Sequence, residues 1–278
     1  MDVKLEKYSG AGNDFIVLDG RSADVPAYRG PDMARELCSR KDGFTAPDGT
    51  VGADGFMILS SSESSDFRME FFNPDGSSGM MCGNGGRCIA AFADSLGIRS
   101  RDGGDILVFE APDGLHTARI LSRKGNLASV CLGMKDVGDY RPVLGGWFLD
   151  TGTRHFVLFE DDIEALDVET RGAFYRRHEA FAPAGANVDF VQRLSDGSLK
   201  VRTFEKGVEA ETLACGTGIV ASAIASVLDG SGPADASYSI PVHARRDALQ
   251  VGFDVGTDAS GRLRFTSVLL TGPAEHIV

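Results

Sequence analysis

The sequence predicts a mixed α/β chain of the α+β kind, made of two copies of one domain, each with many strands around one marked helix. Three observations predict it. A cysteine-glycine stretch occurs twice: Asn73 to Ala91 reads N-P-D-G-S-S-G-M-M-C-G-N-G-G-R-C-I-A-A, and Glu211 to Ser222 reads E-T-L-A-C-G-T-G-I-V-A-S. Each follows a strand-like run closing on Phe72-Asn73 or Phe204-Glu205, and each leads into an Ala-rich segment ending at Gly97 or Gly230. Corresponding features stay about 135 residues apart throughout, far more than the period of a solenoid.

The elements follow in order. Val3 to Tyr8 alternates apolar and polar residues as a half-buried strand does. Ser9 to Asn13 is a turn and Asp14 to Asp19 the next strand, which together read as a hairpin; the alternative is that Asn13 offers its amide to a ligand. The G-A-G here is not G-x-G-x-x-G and no helix follows, which argues against a dinucleotide site. Pro31 to Ser39 reads as a helix capped by Asp32. A polar, Gly-rich loop spans Lys41 to Gly52, and strands follow at Phe56 to Ser60 and Phe67 to Phe72. After the first cysteine helix, Ile106 to Glu110, His116 to Leu121 and Leu127 to Leu132 alternate as strands between D-G and K-G-N turns.

The second half repeats this order. Trp147 to Phe159 resembles Tyr8 to Leu18, with a Gly turn before an aromatic-led strand. Asp162 to Ala180 contains a helical stretch, and G-A-N-V-D-F from Gly185 stands where G-A-D-G-F stood from Gly52. Leu199 to Phe204 is the strand before the second cysteine loop, and the tail adds strands including Ala248 to Val255 and Leu263 to Leu270. The domain bounds expected are 1–122, with a strand at 265–278 returning to it, and 123–264.

Composition narrows the function. With 278 residues, 42% hydrophobic and 24% charged, the chain has the make-up of a globular protein able to bury one large core or two ordinary ones. A net charge of -12 argues against a nucleic-acid surface and an anionic membrane partner. The N-terminus M-D-V-K-L-E-K-Y has no signal-peptide core, and the longest weakly polar run, Ile219 to Leu228, falls short of a membrane span. A cytoplasmic location is expected. There the five cysteines, an odd number without a C-x-x-C pair, are expected to be thiols.

The chemistry centres on Cys82 and Cys215. Glycines directly before a helical run leave backbone N–H groups facing a ligand, and a thiol there feels the positive end of the helix dipole. Two such thiols, approaching from opposite sides of a cleft between the two halves, are what inversion at one carbon needs: one removes a Cα proton and the other returns one from behind. Gly83-Asn84 and Gly216-Thr217 would hold the substrate carboxylate and take up the developing charge. No pyridoxal-binding motif is evident, so no cofactor is expected, and a closed, dry cleft has to supply the stabilisation. Cys38 and Cys131, in helix-like and strand-like runs, read as core. Cys88 lies off the face of Cys82, so no metal pair is expected. Taken alone, His155 reads as structural, Glu205 as a solvated carboxylate and Arg87 as a partner for an acid.

These stretches resemble diaminopimelate epimerases: S-G-A-G-N-D-F-I-V-L-D, G-A-D-G, F-F-N-P-D-G-S-S-G-M-M-C-G-N-G-G-R-C, G-A-N-V-D-F-V and F-E-K-G-V-E-A-E-T-L-A-C-G-T-G, in that family's order over most of the chain. The block M-C-G-N-G-x-R-C is unlike the C-G-H block of proline racemases, and the paired cysteines separate it from phenazine-biosynthesis relatives. The resemblance implies two pseudo-symmetric domains, each a mostly antiparallel sheet curled around a central helix, and a homodimer. It implies a cofactor-independent interconversion of L,L- and meso-2,6-diaminopimelate, in lysine and cell-wall biosynthesis. By position, Cys82 and Cys215 are the bases. Asn13, Asn73 and Asn187 are substrate ligands, and Gly83, Asn84, Gly216 and Thr217 the carboxylate cradle. Glu205 reads the amino group, with His155 as its companion near the cysteines.

The chain departs from the family at the distal end of the substrate. The usual G-N-P-H is Gly152-Thr153-Arg154-His155, and the usual Glu-Arg is Glu205-Lys206. Lysine cannot grip a carboxylate with two parallel hydrogen bonds as arginine does. These changes leave open a related amino-acid racemase or 3-hydroxyproline dehydratase, with the same cysteine pair on another substrate. A third reading, a non-catalytic ligand-binding or thiol-redox protein, is opposed by the intact Gly-rich loops after both cysteines.

Overall fold

Apolar alternation from Leu5 to Asp19 gives two antiparallel strands joined by the two-residue turn Ala11-Gly12, both at positive φ (52° and 101°). A two-residue hairpin turn of this kind needs that geometry at both positions, and Gly12 adopts it without strain. The computed structural model describes residues 4–22, 25–79, 81–230 and 232–278. It divides into two compact units, 1–132 with 272–278, and 133–271. The division falls after Leu132 rather than at 122 because the strand ending at Gly133 pairs with the strand before it.

Unit 1 contains β1 (Leu5–Gly10), β2 (Asn13–Asp19), α1 (Pro31–Cys38), β3 (Gly55–Ser60), β4 (Phe67–Phe72), α2 (Gly83–Ser95), β5 (Leu107–Ala111), β6 (Gly114–Lys124) and β7 (Leu127–Gly133). Unit 2 contains β8 (Tyr140–Val143), β9 (Gly146–Asp150), β10 (Arg154–Phe159), α3 (Val168–Arg176), β11 (Asn187–Arg193), β12 (Leu199–Glu205), β13 (Ala210–Thr212), α4 (Gly216–Asp229), β14 (Ala236–His243) and β15 (Ala248–Thr257). The last strand, β16 (Leu263–Ile277), gives its first part to unit 2 and its final residues to unit 1.

In unit 1 the strands run β1-β2-β3-β4-β5-β6-β7, and Gly272–Ile277 of β16 pairs with both β7 and β1, which closes the sheet on itself. Only β2–β3 and β4–β5 are parallel. Unit 2 repeats the plan as β8-β9-β10-β11-β12-β14-β15-β16, with parallel pairs β10–β11 and β12–β14 and a Val137–Phe265 bridge joining the residues before β8 to β16. Order and strand sense therefore match element for element, apart from the added β13.

The central helices explain the composition of the cysteine stretches. Every residue from Gly83 to Ala93 of α2 is buried, and nearly every residue of α4 from Gly216 to Val227. A helix enclosed on all sides is mostly apolar or small, with Asn84 and Arg87 the buried, hydrogen-bonded polar members of α2, and the Gly- and Ala-rich runs let strands come close. A Cβ on Gly218 would lie 2.3 Å from Asp189 Oδ1 and 3.1 Å from His155 Cε1. The outer faces of the parallel pairs are covered by α1 and α3. Ile16, Leu18, Phe56 and Ile58 pack with Ala34 and Leu37 in unit 1, and Phe156, Val188 and Phe190 with Val168 in unit 2. Each large side chain so buried contributes about 1.5–3 kcal/mol.

Two local expectations are corrected. Asp32 does not cap α1: the cap is Gly30, Pro31 takes the first helical position, and Asp32 pairs with Arg35 at 2.5 Å. Strands β8 and β14 were not expected. Both contain a proline (Pro142, Pro241), which cannot donate to a strand ladder and so argues against a strand from sequence, although β14 does alternate in burial along its length.

Candidate active site

The two cysteines occupy the same structural position. Cys82 is the N-cap of α2, with extended backbone (φ -110°, ψ 153°), and its Sγ accepts from Gly85 N at 3.2 Å. Cys215 is the N-cap of α4, also extended (φ -111°, ψ 109°), and is buried. Gly83-Asn84 and Gly216-Thr217 thus open the helices, where leading N–H groups receive no carbonyl from within the helix.

Around Cys82 the polar side chains form one chain of amides. Asn84 Nδ2 donates to Asn13 Oδ1 at 2.7 Å, and Asn13 Nδ2 donates to Asp54 Oδ2 at 2.9 Å. Arg40 holds Asp54 and Asp14 together at 2.5 Å each, and the buried Lys7 reaches Asp14 at 2.7 Å. Burial works against the charge of Asp14, but Arg40 and Lys7 outweigh it and hold its carboxyl below the ordinary carboxylate value. The structure therefore shows the hairpin and also gives the Asn13 amide a task, fixing Asn84. Arg87, fully buried one turn into α2, donates to Gly83 O (3.1 Å), Asn84 Oδ1 (2.8 Å) and Pro273 O (3.2 Å). It ties the returning end of β16 to the helix start. Asn73 lies in the turn after β4, its amide donating to Ser77 Oγ at 2.9 Å.

Around Cys215 the arrangement is different. Thr217 Oγ1 lies 3.4 Å from the Cys215 sulfur and 2.9 Å from both His155 Nε2 and Thr153 Oγ1. His155 is not a lone structural histidine: its Nδ1 meets Asp189 Oδ2 at 2.7 Å, with both side chains fully buried. Burial alone would keep the ring neutral, but Asp189, aided by Cys215, outweighs it and raises its pKa to about 10. Asn187 donates to Arg154 O at 3.0 Å, and its Oδ1 accepts from Lys206 N at 2.7 Å. The Lys206 side chain is exposed. Glu205 is only partly exposed, not a solvated carboxylate, and burial pushes its carboxyl up from the ordinary value.

The structure brings Cys82, Gly83, Asn84 and Asn13 together in unit 1, and Cys215, Gly216, Thr217, His155, Asn187 and Glu205 in unit 2. Sequence reasoning passed over Asp54, Asp189 and Thr203, whose hydroxyl donates to Asp189 Oδ1 at 2.7 Å. A signal for Asp189 exists: it stands two residues after Asn187 on one strand, hence on the same face. The remaining thiols differ. Burial pushes Cys38 up to about 12 and Cys88 higher still, as expected of core cysteines. Among the described residues no cluster of three or more His, Cys, Asp or Glu could hold a metal ion.

Comparison with known proteins places this geometry. The sequence model of the family described as diaminopimelate epimerase matches residues 5–127 and 147–251. A diaminopimelate epimerase of Flavobacterium psychrophilum is 38% identical over 99% of this chain and 98% of its own. One of Chlorobaculum tepidum is 38% identical over 97% of both chains. Among solved structures, a phenazine biosynthesis protein of the PhzF family from Bacillus anthracis shares the fold at TM-score 0.67 and 15% identity, covering 100% of this chain and 98% of that one. A probable proline racemase from Agrobacterium radiobacter does so at TM-score 0.61 and 15% identity, covering 98% and 90%. With its two matched cysteine loops, and a family match over most of its length, the chain belongs to the diaminopimelate epimerase family.

Proposed function

We propose that the chain is a cofactor-independent isomerase that interconverts L,L- and meso-2,6-diaminopimelate, with Cys82 and Cys215 as its two proton-transferring groups. One observation carries the assignment of the bases: the two cysteines cap the enclosed helices of two units with the same strand plan. One cysteine, as thiolate, takes the Cα proton; the C–H bond breaks, an S–H bond forms, and the electron pair passes into the substrate carboxylate. The other, as thiol, gives its proton to the opposite face of the same carbon. Protons balance, and the two sulfurs exchange roles for the reverse reaction.

The Cα–H is a very weak acid, so stabilisation of the carbanion decides the rate. The opening N–H groups of Gly83-Asn84 and Gly216-Thr217 are the donors that would receive the growing carboxylate charge, and such preorganised donors supply several kcal/mol. Asn13, Asn73 and Asn187 bind substrate, Glu205 reads its amino group, and Lys206 meets the distal carboxylate. His155 supports the cysteine beside it. We place the protein in the cytoplasm, in keeping with its five cysteines being thiols, and as a homodimer, as the family resemblance implies. Among the described residues no helix is long and apolar enough to cross a membrane.

A second reading rests on the distal end. Thr153, in the place of the family's Asn, spends its hydroxyl on His155 and Thr217, and the Lys206 side chain stands exposed. A racemase acting on a shorter amino acid would need neither as a ligand. The test is a panel of amino acids given to the reduced protein, with stereoisomers separated by chiral chromatography. Conversion of L,L-diaminopimelate with a kcat/KM at least about 10-fold above any other member supports the first reading. Preference for a monocarboxylic amino acid would replace it with the second.

A further inference from the structure

The Cys215 half-site contains a buried acid that the reaction as described does not use. Asp189 lies on β11 with no exposed surface, and both its oxygens are engaged: Oδ2 with His155 Nδ1 at 2.7 Å and Oδ1 with Thr203 Oγ1 at 2.7 Å. A side chain on Gly218 would collide with it, so the first turn of α4 leaves room for this carboxylate. A carboxylate oxygen only accepts, so Nδ1 carries a hydrogen. On the far side of the ring, Nε2, Thr153 Oγ1 and Thr217 Oγ1 lie within 2.9 Å of one another, and the Cys215 sulfur is 3.4 Å from Thr217. With Nε2 protonated as well, the donors run one way: Nε2–H to Thr153, Thr153 O–H to Thr217, Thr217 O–H to sulfur. Within this chain each hydroxyl gives one hydrogen and takes one, and the chain ends on the Cys215 sulfur.

We propose that Asp189 is a positioning residue for the Cys215 half-site: its buried carboxylate fixes the doubly protonated ring of His155, so that the Thr153 and Thr217 hydroxyls are oriented as donors toward the Cys215 sulfur. This deepens the reading of Cys215 as a proton-transferring group and rests on it. The charged or titratable groups facing His155 are Asp189 from β11, Glu205 from β12 and Cys215 at the head of α4. Asp189 is the one in direct hydrogen-bond contact with Nδ1. The Cys82 half-site is built differently: its sulfur accepts from the Gly85 backbone N–H, and the neighbouring Asn84 is held by the Asn13 amide and the buried Arg87 guanidinium.

The test compares the full chain with Asp189→Asn, using readouts that need no substrate. Iodoacetamide alkylation of each cysteine is followed by peptide mapping from pH 6 to 9. The ring nitrogens of His155 are followed by NMR on histidine labelled with nitrogen-15, assigned by their loss in His155→Gln. In the wild type the His155 signals remain those of the doubly protonated ring at pH 8. In Asp189→Asn they titrate between pH 6 and 8, and alkylation of Cys215 at pH 7 slows about 10-fold while that of Cys82 stays within about twofold. A neutral His155 ring in the wild type at pH 8 would overturn the proposal, whether or not the variant folds. So would an unchanged Cys215 profile in a folded variant. If diaminopimelate is not converted but these shifts are seen, the substrate assignment fails and this inference stands.

Discussion

His155 Nδ1 lies 2.7 Å from Asp189 Oδ2, and neither side chain has any exposed surface. Burying an ion pair costs solvation of both charges, and only close contact with further hydrogen bonds offsets that. Thr203 on Asp189 and Thr153 on His155 provide those bonds.

The pair makes stability depend on pH. Its folded pKa is raised from 6.5 to about 10, so the folded state binds the proton more tightly than the unfolded chain. The contribution is complete below about pH 6.5 and is lost as pH rises through about 10. The denaturant midpoint of the wild type, measured relative to His155→Gln, is expected to fall steadily across that window. A difference that is flat or rises with pH would contradict a charged His155.

Gly218→Ala tests how closely α4 approaches β11. Its Cβ would meet Asp189 Oδ1 at 2.3 Å, and Asp189 has no exposed surface into which to retreat. The variant is expected to lose about 1–3 kcal/mol in urea unfolding. The corresponding change at Gly256, where a Cβ meets nothing within 4 Å, should cost well under about 1 kcal/mol.

The cysteines should separate by reactivity. Burial raises Cys38 to about 12 and Cys88 further, whereas Cys82 and Cys215 cap helix N-termini. Iodoacetamide at pH 8 is expected to label Cys82 and Cys215 at least about 10²-fold faster than the two core thiols in the folded protein. Peptide mapping against reaction time measures this directly. Equal labelling of Cys88 would show that α2 is not enclosed as described.

Much of this was legible in the sequence, for local reasons. The duplicated Cys-Gly-x-Gly loops and their Ala-rich sequels mark the two central helices, because a helix enclosed by a sheet is mostly small and apolar. Strand β4 runs from Phe67 to Phe72 as its alternation predicts. What local pattern did not show was pairing over distance. Asp189 and His155 are 34 positions apart, and each looks ordinary in its own strand. Asp54 stood within a quoted motif, but only folding brings it to Asn13, 41 positions away. Strand β16 was expected to return to the first unit over 265–278, but only its end from Gly272 does so, because the residues from Leu263 to Thr271 pair with β15 in unit 2.

The most direct test of the two-thiol account is hydrogen exchange at the substrate's Cα. The reduced protein is given L,L-diaminopimelate in deuterated water, beside Cys82→Ser and Cys215→Ser, and deuterium and stereochemistry are followed by NMR. The account predicts meso product carrying deuterium at the inverted carbon, and loss of epimerisation by about 10³-fold or more in each variant. Inversion without deuterium uptake, or conversion within about 10-fold of wild type in either variant, would contradict it.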